Sequence, residues 1–346
     1  MTALRQAVRE QAGPGLLLLL STVLLLLAVG AGTGIGEMAI PIDTTFFAVT
    51  NRLGWSAVDL DPIHQSVIWD YRLSRSLVAA CCGAGLALCG AILQSLLRNA
   101  LAEPYVLGVS AGASTGAVGI IVLGLGAGSI TISAGAFVGA FASFAFVALL
   151  SNGARGGAGK TILAGVAASQ LFNALTSYIV STSANAQQAR DVMFWLLGSF
   201  GGVRWSEFQL ILVVVIIGFC VCIYFARALD AFAFGDDAAA SLGIPVRTVR
   251  IVLFGVTALM TATIVSMVGS IGFVGLVVPH AARFIVGPSH ERLLPTCVVG
   301  GGIFMVLADI VSRVVLPQQV LPIGVVTALV GVPFFSVILY RTERAR

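Results

Sequence analysis

Residues 208–226 read Phe208-Gln-Leu-Ile-Leu-Val-Val-Val-Ile-Ile-Gly-Phe-Cys-Val-Cys-Ile-Tyr-Phe-Ala226 and contain no Asp, Glu, Lys or Arg. A helix needs roughly 20 residues to cross about 30 Å of hydrocarbon, so this run is long enough to span a bilayer. Working outward, comparable apolar runs lie near 15–35, 75–97, 105–126, 129–151, 161–182, 249–269, 271–287, 295–316 and 321–340. The run at 271–287 is the weakest, being short, carrying Pro279 and His280, and adjoining its predecessor through Gly269–Gly275. Composition agrees: of 346 residues 58% are hydrophobic and 10% charged, where soluble domains carry about 25% charge. With a mean hydropathy of +1.02, neither a soluble surface nor a disordered chain is compatible with this sequence. Forty glycines and eleven prolines suit spanning helices, which pack through small residues and tolerate breaks. The expected fold is an all-α integral membrane protein, a bundle of about ten transmembrane helices in one domain, 1–346.

An even number of spans puts both termini on one side, and basic residues decide which, because Lys and Arg in short loops stay in the cytoplasm. The inner set is Arg5, Arg9, Arg98, Arg155, Lys160, Arg227, Arg247, Arg250, Arg283, Arg292, Arg341, Arg344 and Arg346; the outer set is Arg52, Arg72, Arg75, Arg190, Arg204 and Arg313. Thirteen against six predicts cytoplasmic termini, with polar stretches 36–74 and 183–207 outside and 227–248 inside. The net charge of +4 is then a topogenic signal and not a sign of nucleic-acid binding. The first apolar run follows Arg5 and Arg9 as a secretory signal would, but it is too long, and an uncleaved first helix is expected.

Candidate chemistry is sparse. Cys81, Cys82, Cys89, Cys220, Cys222 and Cys297 lie inside spans among Ala, Leu, Val and Gly, as small buried hydrophobes and not metal ligands. Residues 154–161, Ala154-Arg-Gly-Gly-Ala-Gly159-Lys160-Thr161, fit a relaxed phosphate-loop pattern. The connection is too short to hold the α/β domain and acidic magnesium ligand that give this motif meaning, so a basic cytoplasmic turn is the better reading. His64, His280 and His290 have no metal-like spacing. Asp309 is an intramembrane carboxylate, a functional suspicion by default, yet Arg313 follows at i+4 and predicts an ion pair. Glycines at 108, 112, 116, 135 and 139 predict close helix contact.

Four stretches carry a family resemblance. They are Tyr71-Arg-Leu-Ser-Arg75 with Gly90-Ala-Ile-Leu-Gln94; Arg98-Asn-Ala-Leu-Ala-Glu-Pro-Tyr-Val-Leu-Gly-Val-Ser-Ala-Gly112; Gly272-Phe-Val-Gly-Leu-Val-Val-Pro-His280; and Ala308-Asp-Ile-Val-Ser-Arg313 with Leu321-Pro-Ile-Gly-Val-Val-Thr327. From residue 70 onward the chain resembles the permease subunits of bacterial ABC importers for haem, ferric siderophores and vitamin B12. It departs at Ser74 and Ala100, where the family usually has Pro, so both turns are expected to be less rigid.

The resemblance implies a type II importer permease in the bacterial inner membrane. It also implies a homodimer with the passage at its interface, two cytoplasmic ATPase subunits carrying ATP, and a periplasmic substrate-binding protein. On that basis Arg72, Arg75 and Arg313 are expected to face outward and meet carboxylates of the binding protein, and Asn99 and Leu101 to form the cytoplasmic gate. Within 229–248, Asp236 and Asp237 suit the first turn of a short helix, Gly243 its end, and Pro245 forbids continuation. The resemblance makes this the coupling helix, with Gly235, Asp236, Asp237, Ala239, Ser241, Leu242 and Gly243 the residues an ATPase would grip. A solvated connector would leave Leu242 and Ile244 exposed without reason. The expected cargo is haem or a ferric siderophore, with vitamin B12 the alternative. From other classes, an ion-coupled secondary transporter would use a break near 272–279, and a membrane-embedded enzyme would need a His, Asp or Glu cluster that the sequence does not display.

Overall fold

The computed structural model describes residues 14–125, 130–151, 158–316 and 319–343. Arg5, Arg9, Arg155, Arg344 and Arg346 of the inner basic set, and residues 154–157 of the glycine-rich run, lie outside the described residues. In chain order the helices are α1 Pro14–Gly34, α2 Ile42–Arg52, α3 Pro62–Ser66, α4 Ser74–Leu96, α5 Val109–Ile121, α6 Ile132–Leu150, α7 Ala158–Ser183 and α8 Ala186–Leu197. They continue as α9 Trp205–Tyr224, α10 Ala226–Phe232, α11 Asp236–Ser241, α12 Val246–Val268, α13 Val274–Val286, α14 His290–Val314 and α15 Ile323–Glu343. A π-helical stretch, Val67–Leu73, joins α3 to α4, and a 3₁₀ turn, Pro104–Leu107, precedes α5. Among the described residues no strand occurs.

Every apolar run read from the sequence is helical. Among the described residues six helical stretches are long and apolar enough to cross a membrane: Pro62–Leu96, α6, α7, α9, α12 and α14. The eighth run was expected to be short; the third is just as short, and α5 and α13 each have 13 residues. The stretch 36–74, expected outside, folds into α2, α3 and the π-helical stretch, which pack around Ile40, Ala48 and Ile68. The stretch 183–207 holds α8, whose start is fixed by a capping box between Asn185 and Gln188.

The centre of the bundle is α4, buried along nearly its whole length against α9, α12, α13 and α14. Ala, Gly and Cys dominate it because neighbouring backbones come very close. A Cβ placed on Gly83 would lie 2.1 Å from the Gly301 carbonyl oxygen, and one on Gly90 1.9 Å from that of Gly275. In membranes such close approach supplies the packing that the hydrophobic effect supplies in water. The predicted small-residue contact is present between α5 and α6, where Gly112 meets Gly139 and Gly116 meets Gly135. By contrast α6, α7 and α9 turn most of their apolar surface outward. Cys220 also points outward, correcting the expectation that all six cysteines are buried; Cys82, Cys89, Cys222 and Cys297 are.

Candidate functional site

The π-helical stretch, the first turn of α4 and the last turns of α14 meet where α1 ends. A helix end leaves carbonyls without intrahelical partners, and guanidinium groups complement both those carbonyls and the negative end of the helix dipole. Arg72 donates from Nη1 to the Gly34 carbonyl at 3.1 Å and from Nη2 to that of Met38. Arg313 donates to the Gly32 carbonyl at 2.9 Å and the Ile35 carbonyl at 2.7 Å. Asp309 forms the expected pair with Arg313, 3.0 Å from Nη2 to Oδ2. Arg75, 234 residues away in sequence, joins them: its Nε and Nη2 both lie 2.8 Å from Asp309 Oδ1, and its Nη1 donates to the Tyr71 hydroxyl at 2.9 Å.

The expectation that these arginines are presented at the surface is corrected. Arg72, Arg75 and Arg313 are 2%, 1% and 3% exposed, because their donors are occupied by the carbonyls at the end of α1, by Asp309 and by Tyr71. Arg75 and Arg313 share Asp309, while Glu37 is the carboxylate whose charge acts on Arg72.

At the other end of α4 the chain turns sharply. Arg98 adopts φ 48°, left-handed for a non-glycine residue, and Asn99 Oδ1 accepts from the Leu101 backbone N–H at 3.0 Å. Asn99 thus closes a local Asx turn. Leu101 is 48% exposed.

The second irregularity is the break between α12 and α13. Gly269 has φ 77° and Phe273 φ 69°, and the freed backbone groups are satisfied by side chains from the 97–110 region and α4. Tyr105 Oη donates to the Ile271 carbonyl at 2.5 Å and accepts from the Ile271 N–H at 2.6 Å. Ser110 and Ser270 hydroxyls lie 2.8 Å apart, Glu103 accepts from the Phe273 N–H at 3.4 Å, and Gln94 Nε2 donates to the Gly275 carbonyl at 3.0 Å. Burial pushes the Glu103 carboxyl above the usual carboxylate range, and the Phe273 N–H opposes that only in part. Irregular backbone at membrane depth persists only where protein re-satisfies it, which is the situation here. Among the described residues no group of three or more His, Cys, Asp or Glu is placed to hold a metal ion.

The segment 229–248 folds as read: α11 spans Asp236–Ser241, Gly243 has φ 80°, and α12 begins after Pro245. Its residues divide by face. Gly235 and Ala239 are buried and Asp236 pairs with Arg250 at 2.8 Å; Asp237, Ser241, Leu242 and Gly243 are exposed. Ile244, which a solvated connector would leave exposed, is half-buried against the core. Phe234, which residue type alone does not single out, is 80% exposed, and Leu242 is 71% exposed. Behind this face the polar contacts lead straight to α4. Asp230 on α10 holds the His290 backbone N–H at 2.9 Å and Nδ1 at 2.5 Å, and His290 Nε2 lies 2.6 Å from Ser95 Oγ. Arg250 reaches the Leu96 carbonyl at 3.4 Å. Asp236 of α11 is thus tied through Arg250 to Leu96, the last residue of α4.

Comparisons with known proteins bear on this arrangement. A model of the FecCD transport family matches residues 20–341. The cobalamin import system permease protein BtuC of Halobacterium salinarum is 36% identical over 326 residues, covering 91% of this chain and 85% of the relative. The Fe(3+) dicitrate transport system permease protein FecD of Escherichia coli is 36% identical over 278 residues, covering 80% and 86%. A solved structure described as an inward-facing conformation of a metal-chelate type ABC transporter superposes with TM-score 0.82 at 31% identity, covering 94% of this chain and 99% of that one.

Proposed function

The chain belongs to the FecCD transport family, as an ABC importer permease, and from that premise we propose that it works as a homodimer moving an iron complex, haem or a ferric siderophore, across the bacterial inner membrane. A periplasmic binding protein delivers the cargo, two cytoplasmic ATPase subunits bind and hydrolyse ATP, and both termini of the permease lie in the cytoplasm. The permease makes no covalent change in the cargo.

The observation that carries the ATP-driven reading is the exposure of Phe234 and Leu242 on either side of α11 in sequence, backed by the Asp236–Arg250 and Asp230–His290–Ser95 contacts. An ATPase gripping Phe234, Asp237, Ser241 and Leu242 moves α11, and the polar ties transmit that motion to α4, which packs on four further helices. Two copies rocking in this way alternate an outward-open and an inward-open passage. Asn99 and Leu101 lie at the turn after α4, where such motion brings the two copies' turns together or apart, and this is the gate.

The arginine cluster acts in docking through its field. Arg72, Arg75 and Arg313 outnumber Asp309 and Glu37, and a net positive patch attracts a carboxylate-bearing partner and raises its association rate. Tyr71, 37% exposed over Arg75, lies at the surface where the partner rests. A second reading of the cargo, vitamin B12, is favoured by the cobalamin permease relative. At Asp309 ion coupling is disfavoured, because that carboxylate is held by two guanidinium groups.

The test is co-purification of the permease with its ATPase. Phe234→Asp with Leu242→Asp is expected to release the ATPase while the permease still folds, since both side chains are exposed; retention of the ATPase would remove α11 as the handle.

A further inference from the structure

The helix α2 carries its polarity the wrong way round for a helix in water, where the apolar stripe turns to the core and the polar face to solvent. Ile42, Phe46 and Leu53, at i, i+4 and i+11, follow one helical face, and they are 84%, 63% and 48% exposed. Thr45 and Thr50 are buried instead. They tolerate burial because each hydroxyl bonds back to a carbonyl one turn earlier: Thr45 Oγ1 donates to the Pro41 carbonyl at 3.2 Å and Thr50 Oγ1 to that of Phe46 at 3.1 Å. The two charged residues of the helix, Asp43 and Arg52, are exposed, and at 3.6 residues per turn they fall on opposite flanks of the apolar stripe. Trp55, just beyond the helix, is 78% exposed.

What covers this face follows from where the helix is held. α1 carries the first apolar run and ends at Gly34, and α2 begins at Ile42. The linker 35–41 reaches at most about 25 Å, and it is clamped at its start. Arg72 bonds the Gly34 and Met38 carbonyls, and Arg313 bonds those of Gly32 and Ile35. On its other side α2 packs against α3 and the π-helical stretch, which run without a break into α4 as the candidate span Pro62–Leu96. Both chain connections of α2 therefore lead directly into spanning helices, at the end where the arginine cluster lies.

An exposed apolar face seated there meets the boundary between hydrocarbon and water. A helix with an apolar stripe flanked by charge lies in the plane of that boundary, with the stripe about 5–10 Å into it, and tryptophan is enriched at the same level. The stripe itself carries no cation for a carboxylate-bearing partner to recognise.

We propose that α2 is an in-plane membrane anchor, with Ile42, Phe46 and Leu53 against the acyl chains of the leaflet in which α1 ends and Trp55 among its headgroups. The proposal rests on α1 and α4 spanning the bilayer; with the cytoplasmic termini proposed above, the leaflet is the outer one. Such an anchor fixes the height of the linker whose carbonyls Arg72 and Arg313 hold.

The test uses the full chain in phosphatidylcholine liposomes. Phe46→Cys, and Asp59→Cys as a reference at an exposed charged position, are each made in a Cys220→Ser background and labelled with bimane, and the signal of Cys220→Ser alone is subtracted. Lipid brominated on its acyl chains is expected to quench bimane at position 46 more strongly than at position 59, and the emission at 46 is expected to shift to the blue. Iodide on both sides of the membrane is expected to give the reverse order. Equal quenching at the two positions, or stronger quenching by iodide than by brominated lipid at 46, would overturn the proposal. Two other occupants would overturn it in distinct ways. A second copy would shield position 46 from both quenchers and let unlabelled Phe46→Cys chains form a disulfide with each other, and a binding protein would leave position 46 open to iodide until it is added. If Phe46→Cys fails to accumulate, Ile42→Cys decides the matter by the same readings. Neither ATP nor cargo enters the measurement, so its failure would leave the importer reading standing.

Discussion

Asp309→Asn removes the carboxylate that two buried guanidinium groups share. In the native protein Arg75 reaches it through two nitrogens at 2.8 Å and Arg313 through one at 3.0 Å, with Asp309 fully buried. Removing one partner of a buried ion pair leaves an uncompensated charge and typically costs about 3–5 kcal/mol. Arg313 keeps its bonds to the Gly32 and Ile35 carbonyls and Arg75 its bond to Tyr71, which places the expected loss at the lower end, about 3 kcal/mol. The assay is denaturant unfolding in mixed micelles followed by tryptophan fluorescence, as a double-mutant cycle with Arg75→Gln. Residues sharing one network couple by about 0.5–3 kcal/mol, so the double variant is expected to lose clearly less than the two single variants added together. Singles within about 0.5 kcal/mol of wild type, or strictly additive losses, would refute the idea that this cluster ties α1, α4 and α14 together.

Two further outcomes follow from the irregular backbone. Arg98 is exposed at φ 48°, a conformation glycine adopts freely, so Arg98→Gly is expected to stabilise the turn by about 0.5–1 kcal/mol, read as a higher melting temperature; a lower one would show that the arginine side chain matters more than the backbone. Glu103 has its carboxyl raised by burial above the unfolded value, so its folded form is favoured while protonated and loses stability as pH rises through the raised value. Glu103→Gln is therefore expected to match wild type near pH 4 and to melt increasingly above it toward pH 8; a gap that stays constant with pH would contradict the burial argument.

The spans were legible because crossing hydrocarbon demands length and apolarity, both of which a sequence displays directly. The Asp309–Arg313 pair was legible as well, since i,i+4 neighbours share a helix face. Arg75 was not legible as their third member, because its partner lies 234 residues away and nothing local in Tyr71–Arg75 announces it. That omission is why these arginines read as surface groups. The Asp230–His290–Ser95 chain was hidden for the same reason, being assembled from three separate helices. Arg98 and Phe273 escaped notice because left-handed backbone is normally signalled by glycine or asparagine, and here neighbouring contacts impose it on residues that give no such sign. In α11, by contrast, Asp236, Gly243 and Pro245 stated the helix, its end and its limit in sequence order.

The central claim is that ATP hydrolysis on partner subunits drives cargo through this permease. The most direct measurement is uptake into proteoliposomes containing the permease with its ATPase and binding protein, offered haem, a ferric siderophore and cobalamin in parallel. Uptake of an iron complex that requires internal ATP and disappears when the ATPase is omitted is the predicted result; uptake that persists without the ATPase and follows an imposed ion gradient would contradict the account.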